Sequence, residues 1–450
     1  MKAILESKFI FFSASFLICL LLYYPSFSGG QIWDDRYFLF ENKIITGDGL
    51  LLTEILTNFN WALSTLAHKL MYTLFEINYF SYHIVNFVVH FINSLLFFQF
   101  LRLYRIPHAR WAYLLFLLHP AMIISVAWII QFKTLLCALF TLLCLNLFAL
   151  SSLYQDRKRK GLAGLSILSF LLSLSSKSAS IPLLPAVFLI NGINKFNKLL
   201  LIPLVLIIAA ASAKLFLSPT TQEGILRAVT SSSFNSTQEF ILAAVPQTFN
   251  WYFWQALIPL ESIPIRGALP KLYAQSIVGL FTIVMFFILI WKNKRALRFF
   301  GASLVMLLPF LGLIPGPYMS SAWVSEQHLY LVLIFFIPAL ALIIESITHR
   351  KSRTLTQIVS LVFYLSISFM SINNYKDELH FFKSSFDYNN NLPAAFHLLS
   401  HYIANSQITE AKTHYYYLIT TIPPEMRPMS NLFWAQIIQF EPIINVKESE

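Results

Sequence analysis

Residues 9–27 read FIFFSASFLICLLLYYPSF, a run without a single charged side chain. A helix of about 20 such residues is long enough to cross the apolar layer of a membrane. A second run of the same kind, SIVGLFTIVMFFILIW, occupies residues 276–291. The whole chain is 57% hydrophobic and 12% charged, whereas soluble domains are about one quarter charged. The sequence therefore predicts an all-helical, multi-pass membrane protein.

The distribution of basic residues predicts how these helices cross the membrane. Six clusters of lysine and arginine lie at alternate ends of the apolar runs, as expected if every cluster stays in the cytoplasm. The first run is longer than the apolar core of a signal peptide, so we interpret it as a retained helix with a cytoplasmic N-terminus. We predict eleven spans, at 9–27, 81–101, 111–130, 134–153, 161–176, 180–194, 199–217, 274–291, 299–315, 328–346 and 355–372.

This topology divides the chain into a transmembrane domain, residues 1–372, and a periplasmic tail, residues 373–450. Residues 28–80 and 218–273 form two large outer loops of the first domain. Most acidic residues fall outside, and the cytoplasmic loops are too short for a nucleotide-binding domain. Any chemistry is therefore expected on the outer side, without ATP. The net charge is +11, and the basic residues that produce it cluster on the predicted cytoplasmic side. Membrane lipids, and not nucleic acid, are therefore the expected partners.

Two outer segments are predicted to lie in the membrane interface. Residues 50–80 mix apolar and polar positions, with aromatic side chains such as Trp61 suited to the headgroup level. Residues 241–260 are apolar enough to suggest a twelfth span, but Pro246 and Pro259 favour an interfacial or re-entrant segment. A twelfth span would also move the next basic cluster to the outer side, against the charge rule.

The tail is predicted to be a small soluble unit. Its sequence indicates two helices on either side of residues 405–407, and five residues fall at positions typical of a tetratricopeptide repeat: Leu398, Tyr402, Ala411, Tyr415 and Pro423. Leu399 and Ser406 stand where the repeat usually has glycine. An ordinary helical hairpin is the alternative. A single repeat cannot bury its own core, so in either case the tail must pack on something else.

Several motifs resemble one family in the same order along the chain. They are IWDD at 32–35 with Asn42, LST at 63–65, NYFSYHIVNFVVHFINSLLFF at 78–98, LLFLLHPAMIISVAWI at 114–129, SLSSKSASIPLLP at 173–185 and SEQHLYLVL at 325–333. Together they resemble the GT-C integral-membrane glycosyltransferases, in particular the tetratricopeptide-containing O-mannosyltransferase-like proteins and their bacterial relatives. Length, span count and tail are also similar to those of bacterial pilin arabinosyltransferases.

The chain departs from these relatives at three places. Trp61-Ala62 stands where they often have Arg-Pro, Gln131-Phe132-Lys133 where they tend to have Glu-Arg-Lys, and Lys177-Ser178 where they have Lys-Glu. These differences leave the donor sugar and the details of phosphate binding open.

The resemblance implies an enzyme of the bacterial inner membrane that moves a sugar from a polyprenyl phosphate to an acceptor on the periplasmic side. The acceptor hydroxyl must lose its proton as it attacks, and a carboxylate within hydrogen-bond reach suits that role. Asp34 and Asp35 are the candidates, and motif position favours Asp34. The alternative for either is a solvated loop acid or a helix N-cap.

The donor phosphate needs cations or hydrogen-bond donors, since its negative charge grows in the transition state. The candidates for binding phosphate or sugar are Lys133, Lys177, Arg266, Glu326 and His328 and, less clearly, Arg36 and His68. The two lysines lie at outer ends of spans, where the alternative is a side chain reaching the headgroups. Asn86, His90, Asn93 and His119 are interpreted as structural. The sequence has no zinc-type ligand spacing, although two Asp with a lipid phosphate could recruit Mg²⁺ or Mn²⁺.

The leading hypothesis is transfer of a single sugar to hydroxyl groups of an exported protein, with a pilin as the first candidate acceptor. The alternatives are an O-antigen ligase or polymerase, a glycan- or lipid-modifying glycosyltransferase, a transporter, and a non-catalytic assembly factor. The loop at 316–327 is too short for a ligase, and a transporter would be expected to show internal repeats.

Overall fold

The computed structural model describes residues 2–47, 59–192, 237–260, 262–266, 277–312, 322–389 and 392–421. Within these ranges the chain is helical and has no β-strand, and an isolated antiparallel bridge joins Arg266 to Val324. The predicted all-helical class is confirmed for the described residues. The predicted span at 199–217, part of the predicted second outer loop (218–236, 261 and 267–273) and the end of the tail lie outside them.

The helices are numbered here in chain order. They are α1 (Lys2–Phe27), α2 (Lys43–Thr46), α3 (Phe59–Phe75), α4 (Tyr79–Leu103), α5 (Ala109–Leu118), α6 (Ile123–Ala127), α7 (Phe132–Ser151), α8 (Asp156–Ser176), α9 (Leu183–Asn191), α10 (Thr237–Leu257), α11 (Ile277–Lys292), α12 (Lys294–Leu307), α13 (Leu329–Ile344), α14 (Arg350–Ser371), α15 (Glu378–Asn389), α16 (Leu392–Ala404) and α17 (Ile408–Thr421).

Among the described residues, five helical segments are long and apolar enough to cross a membrane. They are Lys8–Phe27, Tyr79–Leu103, Ile129–Ser151, Glu326–Ile344 and Arg350–Tyr375. The bent pair Ala109–Leu118 and Pro120–Ala127 makes a sixth if it counts as one span. Four further predicted spans correspond to shorter or more polar helices: 161–176 to α8, 180–194 to α9, 274–291 to α11 and 299–315 to α12. In the described residues these helices are not both long and apolar enough to count as membrane-crossing.

The bend in the sixth candidate span has a local cause. The two halves meet at an angle of 50° where His119 is followed by Pro120. Proline has no backbone N–H and cannot continue the preceding helix. His119 caps the break, since its Nδ1 accepts from the Ala121 N–H at 3.1 Å, and its Nε2 lies 3.3 Å from the Ala256 carbonyl oxygen. His119 is thus a structural residue, as predicted.

The centre of the bundle is formed by α13, which is buried along its length, and by α7, which packs between α4 and α8. Helices α1 and α14 lie at the periphery and expose apolar side chains such as Leu21 and Val362. Such faces suit contact with lipid. The distribution of burial therefore agrees with a bundle whose outer helices face an apolar medium.

Buried polar side chains on α4 hold its neighbours in register. The Asn86 amide donates to the Val126 carbonyl at 3.2 Å, and the Asn93 amide donates to the Leu135 carbonyl at 3.0 Å. His90 Nδ1 and the Tyr330 hydroxyl are 2.7 Å apart. These contacts join α4 to the α6–α7 region and to α13. The prediction that these residues connect helices is confirmed.

The tail contains the predicted two-helix hairpin, α16 and α17, whose facing residues Leu398, Ala411 and Tyr415 are buried. Pro423, the last of the repeat positions, lies outside the described residues. Before the hairpin, α15 packs against α16, and its Glu378 accepts a hydrogen bond from Trp33 in the loop after α1. Helix α10 is continuous across Pro246 and is not among the helices apolar enough to cross a membrane.

Candidate active site

The loop that carries Asp34 and Asp35 turns sharply at Trp33, whose φ of 43° lies in the left-handed region. A bulky residue keeps that conformation only where its surroundings hold it. The Trp33 indole stacks on Trp128, with ring centroids 5.9 Å apart and planes 6° from parallel. The Trp128 indole N–H donates to the Ile32 carbonyl at 3.1 Å. These contacts fix where the two following carboxylates point.

Asp35 is fully buried, and both of its carboxylate oxygens accept backbone hydrogen bonds. The Ile32 N–H donates to Oδ2 and the Ile130 N–H to Oδ1, both at 2.8 Å. Burial raises the pKa of Asp35 to about 8, although these two donors and Lys133 oppose the rise. The bond to Ile130 fastens the loop to the turn that precedes α7. Asp35 therefore positions the loop and has no surface to offer a substrate.

Asp34 is the carboxylate that a substrate can reach. It is only partly buried, and among the described residues no group donates a hydrogen bond to it. Burial raises the pKa of Asp34, and the positive charge of Lys133 partly offsets that rise. A carboxylate whose pKa is raised towards neutrality is a better acceptor for the proton of an attacking hydroxyl. The structure thus separates two adjacent acids into a structural one and an accessible one.

Two lysines lie beside these acids. Lys133, on the first turn of α7, is 9% exposed, and its Nζ lies 4.2 Å from the centroid of the Trp61 ring. Lys177 follows the last residue of α8, and its Nζ donates to the Thr134 hydroxyl at 2.8 Å. Burial, together with the nearby charge of Lys133, lowers the pKa of Lys177 to about 7. Helices α7 and α8 pack against each other, so the two ammonium groups come together from sequence positions far apart.

Neither lysine forms an ion pair within 4.0 Å in the described part of the chain. An ammonium group loses its hydration when it is buried, and an anion beside it offsets that loss. Asp34 is close enough to interact with Lys133, but it supplies at most one negative charge for two cations. The pair therefore has the chemistry of a site for an additional anion, such as a phosphate.

His68 completes this side of the cluster. It is 3% exposed, and its Nδ1 lies 2.8 Å from the Ser64 carbonyl oxygen, so Nδ1 carries the proton. Burial lowers the pKa of His68 to about 4, and Lys133 adds to that effect. Its Nε2 is buried and has no hydrogen-bond partner among the described residues. A neutral imidazole thus presents a lone pair to this buried region.

Glu326 and His328 lie on the short helical turn that leads into α13. The Ser262 hydroxyl donates to Glu326 at 2.6 Å, and the Tyr252 hydroxyl is 2.8 Å from Nδ1 of His328. The ring of Phe310 stacks on His328 at 3.9 Å, with planes 9° apart. These contacts give the turn a defined orientation.

His328 also lies within electrostatic reach of both Lys133 and Lys177, so α13 contributes to the same cluster. Arg266 is 5% exposed and pairs its backbone with Val324 next to this turn. Its guanidinium lies 4.4 Å from the centroid of Tyr388 on α15. Arg266 therefore adjoins the cluster between the turn before α13 and α15 of the tail.

Arg36 is not brought to this cluster. Its side chain is exposed, and its Nε donates to the Glu41 carboxylate at 2.6 Å on the surface. A π-helical turn, Arg36–Phe40, follows the two acids and directs Arg36 outwards. The structure thus groups Asp34, Lys133 and Lys177 and leaves Arg36 apart.

The residues present do not fit a divalent metal site. Within the described ranges no three His, Cys, Asp or Glu side chains come together in a way that could hold a metal ion. Of the two adjacent acids, Asp35 already uses both oxygens for backbone N–H groups. The nearby ammonium of Lys133 also opposes a second cation. The Mg²⁺ or Mn²⁺ considered from the sequence would have Asp34 as its accessible protein ligand among these two acids.

Sequence reasoning missed two partners in this region. The Trp61 ring lies against Lys133, a contact that the prediction of Trp61 at the headgroup level did not include. Trp128 was part of a motif without an assigned role, and it proves to support the turn at Trp33. Their closeness to the acids depends on packing between distant segments, which no local pattern indicates.

Comparisons of the chain with protein-family models, with curated proteins and with solved structures found no match.

Proposed function

We propose that this protein is a membrane-embedded glycosyltransferase that moves a single sugar from a polyprenyl-phosphate donor to a hydroxyl group of an exported protein. The observation that carries the proposal is the grouping of one accessible carboxylate, Asp34, with the ammonium groups of the buried Lys133 and the half-buried Lys177, neither of which forms an ion pair among the described residues. Sugar transfer from a phosphate needs a proton acceptor and an anion-binding site side by side.

The proposed reaction is a substitution at the anomeric carbon. The acceptor oxygen forms the new bond to that carbon while its proton passes to the Asp34 carboxylate. The bond between the anomeric carbon and the phosphate oxygen breaks, and its electron pair stays on the phosphate. Lys133 and Lys177 stabilise the charge that grows there. Asp35 contributes by holding the loop, through its hydrogen bonds to Ile32 and Ile130.

Other residues have supporting roles in the proposal. His68 Nε2 can accept a hydrogen bond from a sugar hydroxyl, because its Nδ1 is already engaged. Glu326 and His328 approach from α13 and are proposed to contact the sugar or the phosphate. Arg266 is proposed to lie at the edge, where the tail meets the second outer loop.

The finer architecture belongs to the same proposal. We place the chain among the GT-C enzymes with eleven spans in a bacterial inner membrane, with a cytoplasmic N-terminus and a periplasmic C-terminus. The tail is proposed to be a tetratricopeptide-like unit that holds a polypeptide acceptor, pilin being the first candidate. Support comes from the apolar helices and from the hairpin of α16 and α17.

The test is the intact mass of exported proteins, pilins first, from cells that carry the wild-type gene, a deletion or Asp34→Asn. A pentose or hexose increment is expected with the wild type and is expected to disappear in both other strains. Asp387→Asn is the matched control, since Asp387 lies on α15 away from the cluster, and it should retain the increment. An increment that persists with Asp34→Asn would refute the role of Asp34. An unchanged mass in every strain would refute a protein acceptor.

A further inference from the structure

A groove at the opposite end of α4 has features unrelated to the cluster around Asp34. It lies where α4 ends, α5 begins and the first turns of α14 pass by, and its volume is about 430 Å³. Small-ligand sites are typically about 300–1,000 Å³. The groove is lined by Phe98, Arg102, His108, Arg110, Trp111 and Gln357, and we refer to it as the basic groove.

The charges of the basic groove are unbalanced. Arg102 and Arg110 are exposed, and among the described residues neither forms an ion pair. The nearby acid, Glu345, is already shared between His108 and Arg353. Arg110 also lies over the ring of Phe11 on α1, at 5.3 Å, which holds its guanidinium at the groove wall. Two arginines therefore remain for a ligand with negative charge.

The groove also offers hydrogen-bond donors. The Gln357 side-chain Nε2 is buried and has no partner among the described residues. The backbone of Gln357 is held in place, since its carbonyl accepts from the Trp111 indole N–H at 3.2 Å. The first amides of α5 add to this, because the helix begins without a side-chain cap and its first turn has no intrahelical acceptors. The groove thus combines hydrogen-bond donors with two cationic side chains, and this combination suits a ligand with several anionic oxygens.

The depth of the groove indicates where such a ligand comes from. Arg102 lies in the last turn of α4, a helix long enough to cross a membrane, so the groove is at the level of the headgroups. Phe98 and Trp111 give it an apolar wall next to the cationic one. A phosphodiester attached to acyl chains matches both walls, whereas a free phosphate would leave the apolar wall without a partner. Basic pockets between membrane helices are known to bind such headgroups.

We propose that the basic groove binds the headgroup of an anionic phospholipid, with Arg102, Arg110 and the Gln357 amide as its donors. The site is at the end of the bundle that the charge pattern predicts to be cytoplasmic. It is independent of the sugar-transfer proposal. A bound headgroup connects α4, α5 and α14 through one ligand.

The test uses the purified full-length chain in a non-ionic detergent, with bound lipid counted by native mass spectrometry. Phosphatidylglycerol is titrated against the wild type, against Arg102→Gln/Arg110→Gln, and against the control Arg157→Gln/Arg298→Gln. The control removes the same charge from exposed arginines outside the groove. We expect at least tenfold weaker binding in the first double variant and less than a twofold change in the control. Gln357→Glu, which places a negative charge at the buried donor, should weaken binding similarly.

Two further arms test the chemical class. Phosphatidylcholine, which has no net charge, should bind the wild type at least tenfold more weakly than phosphatidylglycerol. Inorganic phosphate should not displace the bound lipid at millimolar concentration; displacement would mean a site for free phosphate. Equal losses in the two double variants would show only a general charge effect and would overturn the proposal. Thermal unfolding at an unchanged temperature verifies that each variant is folded.

Discussion

Replacing Asp35 by asparagine is expected to destabilise the protein, whereas the same change at Asp34 is expected to remove activity and leave stability nearly unchanged. Asp35 accepts one backbone N–H on each carboxylate oxygen, both at 2.8 Å. Asparagine offers one acceptor oxygen, and its amide group would face the other N–H as a second donor. A buried donor left without an acceptor costs about 1–3 kcal/mol. Asp34 has no comparable hydrogen bond within the described ranges, so its change should cost less than about 1 kcal/mol.

The difference should also depend on pH, because burial raises the pKa of Asp35 from 3.8 to about 8. Between those values the folded protein keeps a proton that the unfolded chain has released. The stability from Asp35 is therefore full below about pH 4 and is lost as the pH rises towards 8. Asp35→Asn should remove this dependence and leave the pH profile of stability flatter.

The assay is the free energy of unfolding in mixed micelles, measured for wild type, Asp34→Asn and Asp35→Asn at pH 5 and pH 8. The gap between wild type and Asp35→Asn should be larger at pH 5. If Asp35→Asn is as stable as Asp34→Asn at both pH values, the two backbone hydrogen bonds do not fasten the loop and the reasoning is wrong.

Further predictions concern the cations and the packing of the loop. The pKa of Lys177 near 7 predicts that kcat/KM falls as the pH rises above 7, since the neutral amine binds a phosphate less well. In Lys177→Arg the guanidinium stays charged, so the fall should move to a higher pH, and a pH profile tests it. The raised pKa of Asp34 predicts a second fall in kcat/KM as the pH is lowered, because the base becomes protonated, and the midpoint of this fall should lie above pH 3.8. The acidic fall should be absent from the residual activity of Asp34→Asn. Gly29→Ala would place a Cβ 2.6 Å from the Lys376 carbonyl oxygen and should lower the unfolding temperature, whereas Gly164→Ala, with nothing within 4 Å, should leave it unchanged or higher.

Much of the architecture could be predicted from the sequence because it follows from local patterns. Uninterrupted apolar runs predicted the helices, and the break at residues 405–407 predicted the hairpin in the tail. The polar stripe of Asn86, His90 and Asn93 recurs at helical spacing, so its role in joining helices could also be anticipated. The eleven spans could not be verified in the same way, since helices such as α9 are too short by themselves and residues 199–217 lie outside the described ranges.

The site was predicted less completely, because its geometry depends on contacts between distant segments. The sequence placed Asp34 and Asp35 side by side but could not distinguish them, since the N–H that engages Asp35 belongs to a residue 95 positions away. Arg36 was a weaker candidate than the lysines from the sequence, and its pairing with Glu41 on the surface could be seen only in the structure. The contact of Lys133 with Trp61 likewise arises from the packing of α3 against α7.

The support of Trp33 by the tail has a consequence for the order of biosynthesis. The Trp33 backbone N–H donates to the Glu378 carboxylate at 3.3 Å, and its ring lies near those of Phe382 and His397. Glu378 lies 345 residues after Trp33, so during synthesis the loop leaves the ribosome long before this part of its support. In a growing chain, Trp128 and Ile130 are therefore available to the loop long before its contacts with the tail can form. A chain truncated before α15 would contain Asp34, Lys133 and Lys177 but would lack the Glu378 and Phe382 contacts that complete the support of Trp33.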